Sequence, residues 1–461
     1  MLLGVAAPVT SRAARATPPG RWSAPGIAPE LALAAIGAGA VAVLVLWWND
    51  TIFIHGFGDW LTNAGRITGL LDGYAVVVLL ALMARVPALE RRLGTDRLVR
   101  WHASGGRYTV SLAVVHTLLI IWGYAVTAHS GLVHQTGDLL TAYPDVMMAT
   151  VALGLLVVVG AVSARAARRR MKYETWHYLH LYTYLAIALA FAHQFATGAD
   201  FVSNASARVL WSALYIVVAA VLIWYRLLAP VRAARRHRLR VVEVRRESAD
   251  IVSVYITGRR LDDLRAEPGQ FFRWRFLTRG MWWAANPYSL SAPVRRDRLR
   301  ITVKVAGDHS AALEHLRPGT SVLAEGPYGS FTAARRQRRK VLLIAGGVGI
   351  TPLRALFETL PARRGDITLL YRVNKATDIV FRDELDPIAH RRRAAVHYLV
   401  GPPRPDERDH LSATSLKRLI PDLRDYDVYL CGPDPMTAAA TKALKVVGVP
   451  RRHIHNESFV F

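Results

Sequence analysis

Four histidines lie inside long apolar stretches at two nearly matched spacings: His102 and His116 in "WHASGGRYTVSLAVVHTLL", and His180 and His193 in "WHYLHLYTYLAIALAFAHQF". An imidazole is costly in hydrocarbon and needs a partner there. The pairs are 14 and 13 residues apart, so on helices rising 1.5 Å per residue each covers about 20 Å. Two ligands per helix at matched depths would hold two haems stacked across a bilayer, with an imidazole from each segment on each iron. A zinc or copper ion would need ligands converging within bonding reach, which these spacings do not offer. Fourteen residues return to within roughly 40° of the starting face and 13 leave an offset near 140°. The second segment must therefore tilt or meet the two haems from different sides, and His177 is a possible substitute for His180. His55, His129 and His134 fall in loops between apolar runs and read as surface residues.

The elements that must position these ligands are legible in the hydropathy pattern. Of 461 residues, 52% are hydrophobic, concentrated in the first half. Apolar runs long enough to cross a bilayer occur at roughly 31–48, 67–84, 106–128, 146–164, 175–195 and 207–229. Arginines crowd "ARVPALERRLGTDRLVR" and "ARAARRRMK" but are sparse in the alternate loops, so both termini and the arginine-rich loops are expected to be cytoplasmic. His102 and His180 then lie nearer the cytoplasm, and His116 and His193 nearer the outside. The first 30 residues, rich in Ala, Pro and Arg, read as a cytoplasmic tail. The net charge of +25 does not point to nucleic acid, because the excess sits in short segments between apolar runs. A single cysteine, Cys431, excludes internal disulfides and thiolate-bound iron–sulfur clusters.

After "RLLAPVRAARRHRLR" the composition becomes that of a soluble protein. Short alternating runs such as "QFFRWRF" and "LRITVKVAG" predict an antiparallel sheet or barrel. From "KVLLIAGGVGITPLRALFETL" onward, apolar strands alternate with helical stretches, the pattern of a parallel α/β sheet. The soluble half divides near residue 336, in "ARRQRRK". "NPYSLSAP", "ITVKVAGDHSAAL" and "EGPYGSF" follow one another on the strand-rich part. There Tyr288 offers a flat ring, Ser289 a short donor, and "GDHS" leads into a helical stretch whose first amides suit a pyrophosphate. "AGGVGITP" follows a strand and opens a helix, the setting of a phosphate-cradling loop: Gly346, Gly347 and Gly349 allow close backbone approach, and Thr351 and Pro352 start the helix. Arg372 and Lys375 in "YRVNK" place positive charge where a 2′-phosphate could pair, favouring NADPH with NADH possible.

The order of these motifs, followed by "CGPDPM" and an aromatic C-terminus, resembles the ferredoxin–NADP reductase superfamily. Joined to a six-span, four-histidine membrane part, the chain resembles bacterial members of the ferric reductase and NADPH oxidase family over roughly 65–461. The resemblance implies an all-α six-helix transmembrane bundle, an antiparallel β-barrel binding FAD and an α/β parallel-sheet unit binding NAD(P). The corresponding boundaries are 1–30 for the tail, 31–230 for the haem domain, 236–335 for the flavin domain and 337–461 for the nucleotide domain. It also implies that Asn286, Pro287, Tyr288 and Ser289 contact the flavin, with Val303, His309 and Ser310 lining it. Cys431, Gly432 and Pro433 would sit beside the nicotinamide. Phe461 would cover the flavin ring, with Phe459 packing and Glu457 assisting nearby. Members usually have His or Arg where this chain has Asn286, so a neutral contact replaces a charged one.

A pyridine nucleotide releases a hydride and haem accepts one electron, so a flavin is needed between them. The expected activity is electron transfer from cytoplasmic NADPH through FAD and two haem b groups to an extracytoplasmic acceptor, foremost a ferric chelate. Dioxygen, giving superoxide, and an extracytoplasmic partner protein are alternatives, as is a redox sensor. Eukaryotic oxidases of the resembled family often carry a further histidine four residues beyond the outer ligand; here it is Ile120. A transporter would use intramembrane histidines as proton relays, but would not need the attached redox modules.

Overall fold

The computed structural model describes residues 27–457 except 50, 52–53, 165–166, 168–170, 172, 203 and 404–408. The expected tail lies outside the described residues up to position 26, as do Phe459 and Phe461.

The first half is helical, with long helices at Ile27–Asn49, Phe57–Leu82, Thr95–Thr127, Val146–Ser163, Tyr173–Ala196 and Ala205–Ile223. Among the described residues, five stretches are long and apolar enough to cross a membrane: Pro29–Asn49, Phe57–Leu82, Arg97–Thr127, Val146–Ser163 and Ala205–His237. The sixth expected span is a helix of 24 residues, long enough for a bilayer at 1.5 Å per residue. It is not among the five, because its histidines, glutamine and tyrosines dilute its apolar character. Large side chains such as Leu118, Val158, Leu210 and Ile216 are exposed on these helices. That pattern is the reverse of a water-soluble bundle and suits a lipid-facing surface.

Small residues let two of these helices approach closely. A Cβ on Gly65 would come 2.8 Å from the Ile120 side chain, and one on Gly123 would come 2.7 Å from the Thr62 backbone nitrogen. The seam between helices 57–82 and 95–127 is therefore of the small-residue type that brings backbones together in membranes.

A π-helical turn, Trp224–Leu228, and the basic helix Ala229–His237 lead into the second half. There the predicted barrel appears as two three-stranded antiparallel sheets. β1 (Arg240–Ser248), β2 (Ile251–Thr257) and β5 (Leu299–Lys304) run in the order β1-β2-β5; β3 (Phe271–Phe276), β4 (Asn286–Ser289) and β6 (Val322–Tyr328) run β4-β3-β6. Single bridges, Arg240 to Ser321 and Leu290 to Ile301, connect them. Alternation along the strands turns Trp274, Phe276, Ile256, Leu299 and Ile301 into one shared core.

The last unit is a five-stranded parallel sheet in the order β11-β10-β7-β8-β9. Its strands are β7 (Lys340–Gly346), β8 (Ile367–Val373), β9 (Ala395–Val400), β10 (Tyr426–Cys431) and β11 (Ile454–Glu457). The near-continuous apolar runs of β7 and β8 are buried on both faces, as helix-covered parallel strands require. A charged clamp ties this unit to the preceding sheets: Arg300 on β5 makes a bidentate pair with Glu384 at 2.5 and 3.0 Å, and Arg354 reaches the same carboxylate at 2.7 Å. With two guanidiniums and the hydrogen bond from Arg300, Glu384 is held below the usual carboxylate range despite its partial burial.

Candidate functional site

The four histidines fall on two helices, Thr95–Thr127 and Tyr173–Ala196, and the structure brings them together in pairs. The rings of His102 and His180 have centroids 5.9 Å apart and planes at 75°. Two imidazoles bound to opposite faces of one metal ion, each at about 2 Å from nitrogen to metal, would have centroids about 6 Å apart. His116 and His193 lie within electrostatic range of each other. His177 lies within electrostatic range of Arg273, Arg226, His180 and Arg85, and it is the ring of His180 that lies against His102.

Helix Phe57–Leu82 orients the first helix's rings. His102 Nδ1 lies 3.3 Å from the carbonyl oxygen of Leu79, and His116 Nδ1 lies 2.7 Å from that of Gly65. His193 Nδ1 is 3.1 Å from Thr197 Oγ1. An imidazole whose Nδ1–H is donated to such an oxygen presents Nε2 as the free ligand nitrogen, the usual arrangement behind a metal-bound histidine. His180 is held differently: it stacks on Trp176 at 5.2 Å and 25°, and its buried Nδ1 has no hydrogen-bond partner among the described residues. A Cβ on Gly69 would come 2.7 Å from His116 Nδ1, so this glycine provides the room for the ring. Paired imidazoles, three of the four with an anchored Nδ1, fit haem. Among the described residues no three His, Cys, Asp or Glu side chains converge as a bare ion would need.

Below the inner pair, the membrane helices meet β6. Arg85, just beyond helix 57–82, pairs with Glu325 at 2.7 Å and lies 5.6 Å from the centroid of the Tyr328 ring. Arg226 donates twice to the Met83 carbonyl, at 3.0 and 2.8 Å. Glu325 also faces Arg273 at 3.7 Å and Arg275 at 4.0 Å. Beside them Glu90, on the short helix Pro87–Leu93, is buried, and its Oε2 has no partner among the described residues. Burial pushes its carboxyl up to about 7 against the opposing pull of Arg85 and Arg226.

On the antiparallel sheets, Phe271 pairs with both Ser289 and Tyr328, which puts the two expected flavin motifs on the strands either side of β3. Pro287 pairs with Arg273, and the Tyr288 carbonyl accepts from Trp274 Nε1 at 2.9 Å. Burial raises the Tyr288 hydroxyl to about 12, with an Asn286 hydrogen bond opposing it. Asn286 Nδ2 lies 2.6 Å from His309 Nδ1, so the neutral residue at 286 contacts one expected cofactor neighbour directly.

Ser310 and Val303 are each engaged within the fold. The stretch after "GD" is a helix of only four residues, Asp308–Ala311, and Ser310 Oγ accepts from the amides of Ala306 and Gly307. That hydroxyl closes its own turn, and those two amides are used internally. Val303 is on β5 with its side chain in the apolar core, which leaves only its backbone to line a ligand.

The glycine loop joins β7 to helix Ile350–Thr359, and its glycines divide the work. A Cβ on Gly346 would collide with Met436, one on Gly349 with the Cys431 carbonyl, and one on Gly432 would come 2.6 Å from Met436 Cε. These three dovetail the loop into the Cys431–Met436 turn. Gly347 alone adopts a positive φ, +51°, with open space where a side chain would stand, so its amide edge is the one presented outward. Thr351 Oγ1 donates to the Val348 carbonyl at 3.0 Å, and Pro352 occupies the first turn of the helix, where its missing N–H costs nothing.

Cys431 is fully buried at the end of β10, and burial, with the Glu457 carboxylate adding to it, pushes the thiol well above its usual range. It is a packing group in this state. Glu457 pairs with Cys431 across β10 and β11, and its Oε1 lies 3.6 Å from where a Cβ on Gly329 would stand. The ends of β10 and β11 therefore meet the end of β6 at Cys431, Glu457 and Gly329. Phe461 lies outside the described residues.

Arg372 does not present a free cation. Its guanidinium is buried and bidentate to Asp409 at 2.9 and 2.7 Å, a pairing that sequence reading missed because the partner lies 37 residues away. Lys375 is exposed beside it. The orienting carbonyls of Gly65 and Leu79 and the Arg85–Glu325 pair were also missed. The spacing Gly65, Gly69, Gly73 was the one signal that could have pointed to a close helix seam.

Comparison with known proteins gives a separate match in each half of the chain. Residues 68–191 match the family model "Ferric reductase like transmembrane component", and residues 343–442 match "Oxidoreductase NAD-binding domain". The chain is 32% identical over 237 residues to the ferredoxin reductase component of 3-ketosteroid-9-alpha-monooxygenase from Mycolicibacterium smegmatis, covering 48% of this chain and 65% of that protein. It is 32% identical over 239 residues to a flavohemoprotein of Pseudomonas putida, covering 50% and 59%. The match thus spans less than two thirds of these curated relatives. Among solved structures, the FAD/NAD binding domain of nitric oxide dioxygenase from Vibrio cholerae is 29% identical, covering 49% of this chain and 99% of that one, with a TM-score of 0.41. The chain therefore joins a stretch similar to ferric reductase-like transmembrane components to a stretch similar to oxidoreductase NAD-binding domains, the latter half resembling ferredoxin reductase components.

Proposed function

We propose that the protein carries electrons from cytoplasmic NADPH, through FAD and two b-type haems, to an acceptor on the far side of the membrane, foremost a ferric chelate. The observation that carries this reading is the His102–His180 pair, 5.9 Å between ring centroids, with the His102 ring anchored on the Leu79 carbonyl. Flavin and haem supply the conversion of a two-electron donor into single-electron steps; the chain's residues hold, orient and shield them. His102 with His180 would hold the inner haem and His116 with His193 the outer. The Arg85–Glu325 pair fixes the flavin-type sheet against the membrane helices. Tyr288 and Ser289 would bind flavin with the Asn286–His309 pair beside them, and the Gly347 amide edge would take the dinucleotide phosphates. Lys375 is the better candidate for a 2′-phosphate, since Arg372 is engaged by Asp409.

The proposed units are a six-span haem domain over 31–230, a flavin domain over 236–335 and a nucleotide domain over 337–461, with both termini cytoplasmic. With two histidines holding each haem, the groups would supply electron transfer without the acceptor binding at iron, and Ile120 stands where oxidases often carry histidine. These points favour a metal chelate over dioxygen as acceptor. The test is NADPH oxidation by detergent-solubilised protein supplied with FAD, with ferric chelate compared against air plus superoxide dismutase. Turnover that requires the chelate and haem that reduces under NADPH support the reading. Haem reduction without sustained NADPH consumption would make the protein a sensor, and superoxide-coupled turnover would make it an oxidase.

A further inference from the structure

The segment Leu277–Ala285, which joins β3 to β4, is built to project. Met281 is buried in the core of the antiparallel sheets, and the Thr278 carbonyl accepts from the amides of Met281 and Trp282 at 3.1 and 3.2 Å. Gly280 turns the chain at φ +82° with open space around it. This anchoring throws Trp282 and Trp283 outward, 62% and 39% exposed, with Leu277 at 43%. Two adjacent exposed indoles are unfavourable against water, whereas an amphipathic ring suits the headgroup layer of a bilayer. The segment carries Arg279, which is exposed, and no acidic residue.

Its position completes the case. Arg273 donates to the Ala285 carbonyl at 3.2 Å and lies within electrostatic range of His177, near the start of helix 173–196. Through Glu325 and Arg85 the same sheet is tied to the end of helix 57–82. The loop therefore belongs to the sheet that abuts the cytoplasmic ends of the membrane helices. The basic helix Ala229–His237 exposes Arg232, Arg235 and Arg236 beyond the last span, adding charge complementary to anionic lipid.

We propose that Leu277–Ala285 docks on the inner headgroup layer, with Trp282 and Trp283 at the acyl boundary and Arg279 on anionic lipid phosphates. The contact would hold the flavin-type sheet at a fixed height beneath the helices, in addition to the Arg85–Glu325 pair. It rests on the membrane-spanning part of the proposed function and not on haem or flavin chemistry.

Cys431 is the chain's single cysteine and is fully buried, so an introduced cysteine can be labelled selectively. Full-length Trp282→Cys, labelled with an environment-sensitive fluorophore, is placed in nanodiscs of phosphatidylcholine with or without phosphatidylglycerol, some lipids carrying a headgroup nitroxide. Val446→Cys, at a position 70% exposed on the nucleotide unit, is the reference. Quenching several-fold stronger at 282 than at 446, and weaker in neutral discs, is expected. Ala284→Cys, in the same segment, gives the same measurement with Arg279 in place should the tryptophan change impair folding. Equal quenching at loop and reference, or no dependence on lipid charge, overturns the proposal. A colourless but correctly inserted protein with strong quenching at 282 would sink the haem reading and leave this one standing.

Discussion

His116 Nδ1 and the Gly65 carbonyl oxygen are 2.7 Å apart, on two different membrane helices. A helix carbonyl keeps a second lone pair after its own helical bond, and the small-residue seam lets the ring reach it. The same helix offers the Leu79 carbonyl to His102, 14 residues further along, so one helix sets the ring orientation at two depths about 20 Å apart.

Gly69→Leu puts a side chain where the His116 ring lies. The expected result is loss of the outer haem only, with haem content falling to about half if two are bound. The pyridine haemochromogen assay checks it. Gly106→Leu, at a helical position with open space around the glycine, leaves haem content unchanged.

Glu325→Gln removes the charge that pairs Arg85 and faces Arg273 and Arg275. Weakened docking of the sheet slows NADPH-driven haem reduction roughly tenfold, the equivalent of about 1.4 kcal/mol. Reduction of soluble ferricyanide by the flavin side is unchanged. Stopped-flow spectroscopy separates the two.

Glu90 makes stability depend on pH. Its folded value of about 7 stands above the ordinary 4.5, so the folded state prefers the protonated carboxyl. The associated stability is complete below pH 4.5 and is lost as pH rises towards and through 7, on the order of 3 kcal/mol at most. Glu90→Gln should flatten the Tm profile across that window and raise Tm at pH 8, measured by thermal melts in nanodiscs.

Arg372 and Lys375 separate structure from recognition. Lys375→Ala should raise KM for NADPH about tenfold and leave KM for NADH unchanged, as loss of one charge-assisted contact to phosphate implies. Arg372→Ala should instead lower stability by about 2 kcal/mol, because it removes the bidentate charge-assisted pair with the half-buried Asp409, without altering the ratio of the two KM values. Steady-state kinetics and denaturant melts check the pair.

Much of this arrangement was legible in the sequence where a single element carries the signal. The histidine spacings lie within single helices, the glycine loop lies between one strand and one helix, and the strand order of the motifs is local. Relationships across the fold were not legible. Nothing in "YRVNK" reveals that Asp409 consumes Arg372, and nothing around Gly346 and Gly349 reveals that Met436 and Cys431 fill the space their missing side chains leave. Helix 173–196 shows the opposite failing: the residues that make it chemically interesting are the ones that dilute its apolarity as a span. The barrel expectation rested on alternation, which fixes the buried face of each strand but not whether neighbouring sheets close by continuous hydrogen bonding.

The most direct test of the central claim is haem content with redox difference spectra for the four single variants His102→Leu, His116→Leu, His180→Leu and His193→Leu, each purified in nanodiscs. The account predicts two haems in the parent, loss of the inner signal in the first and third variants, and loss of the outer signal in the second and fourth. A parent without porphyrin absorption after haem-replete expression, or variants that all retain both signals, would contradict it.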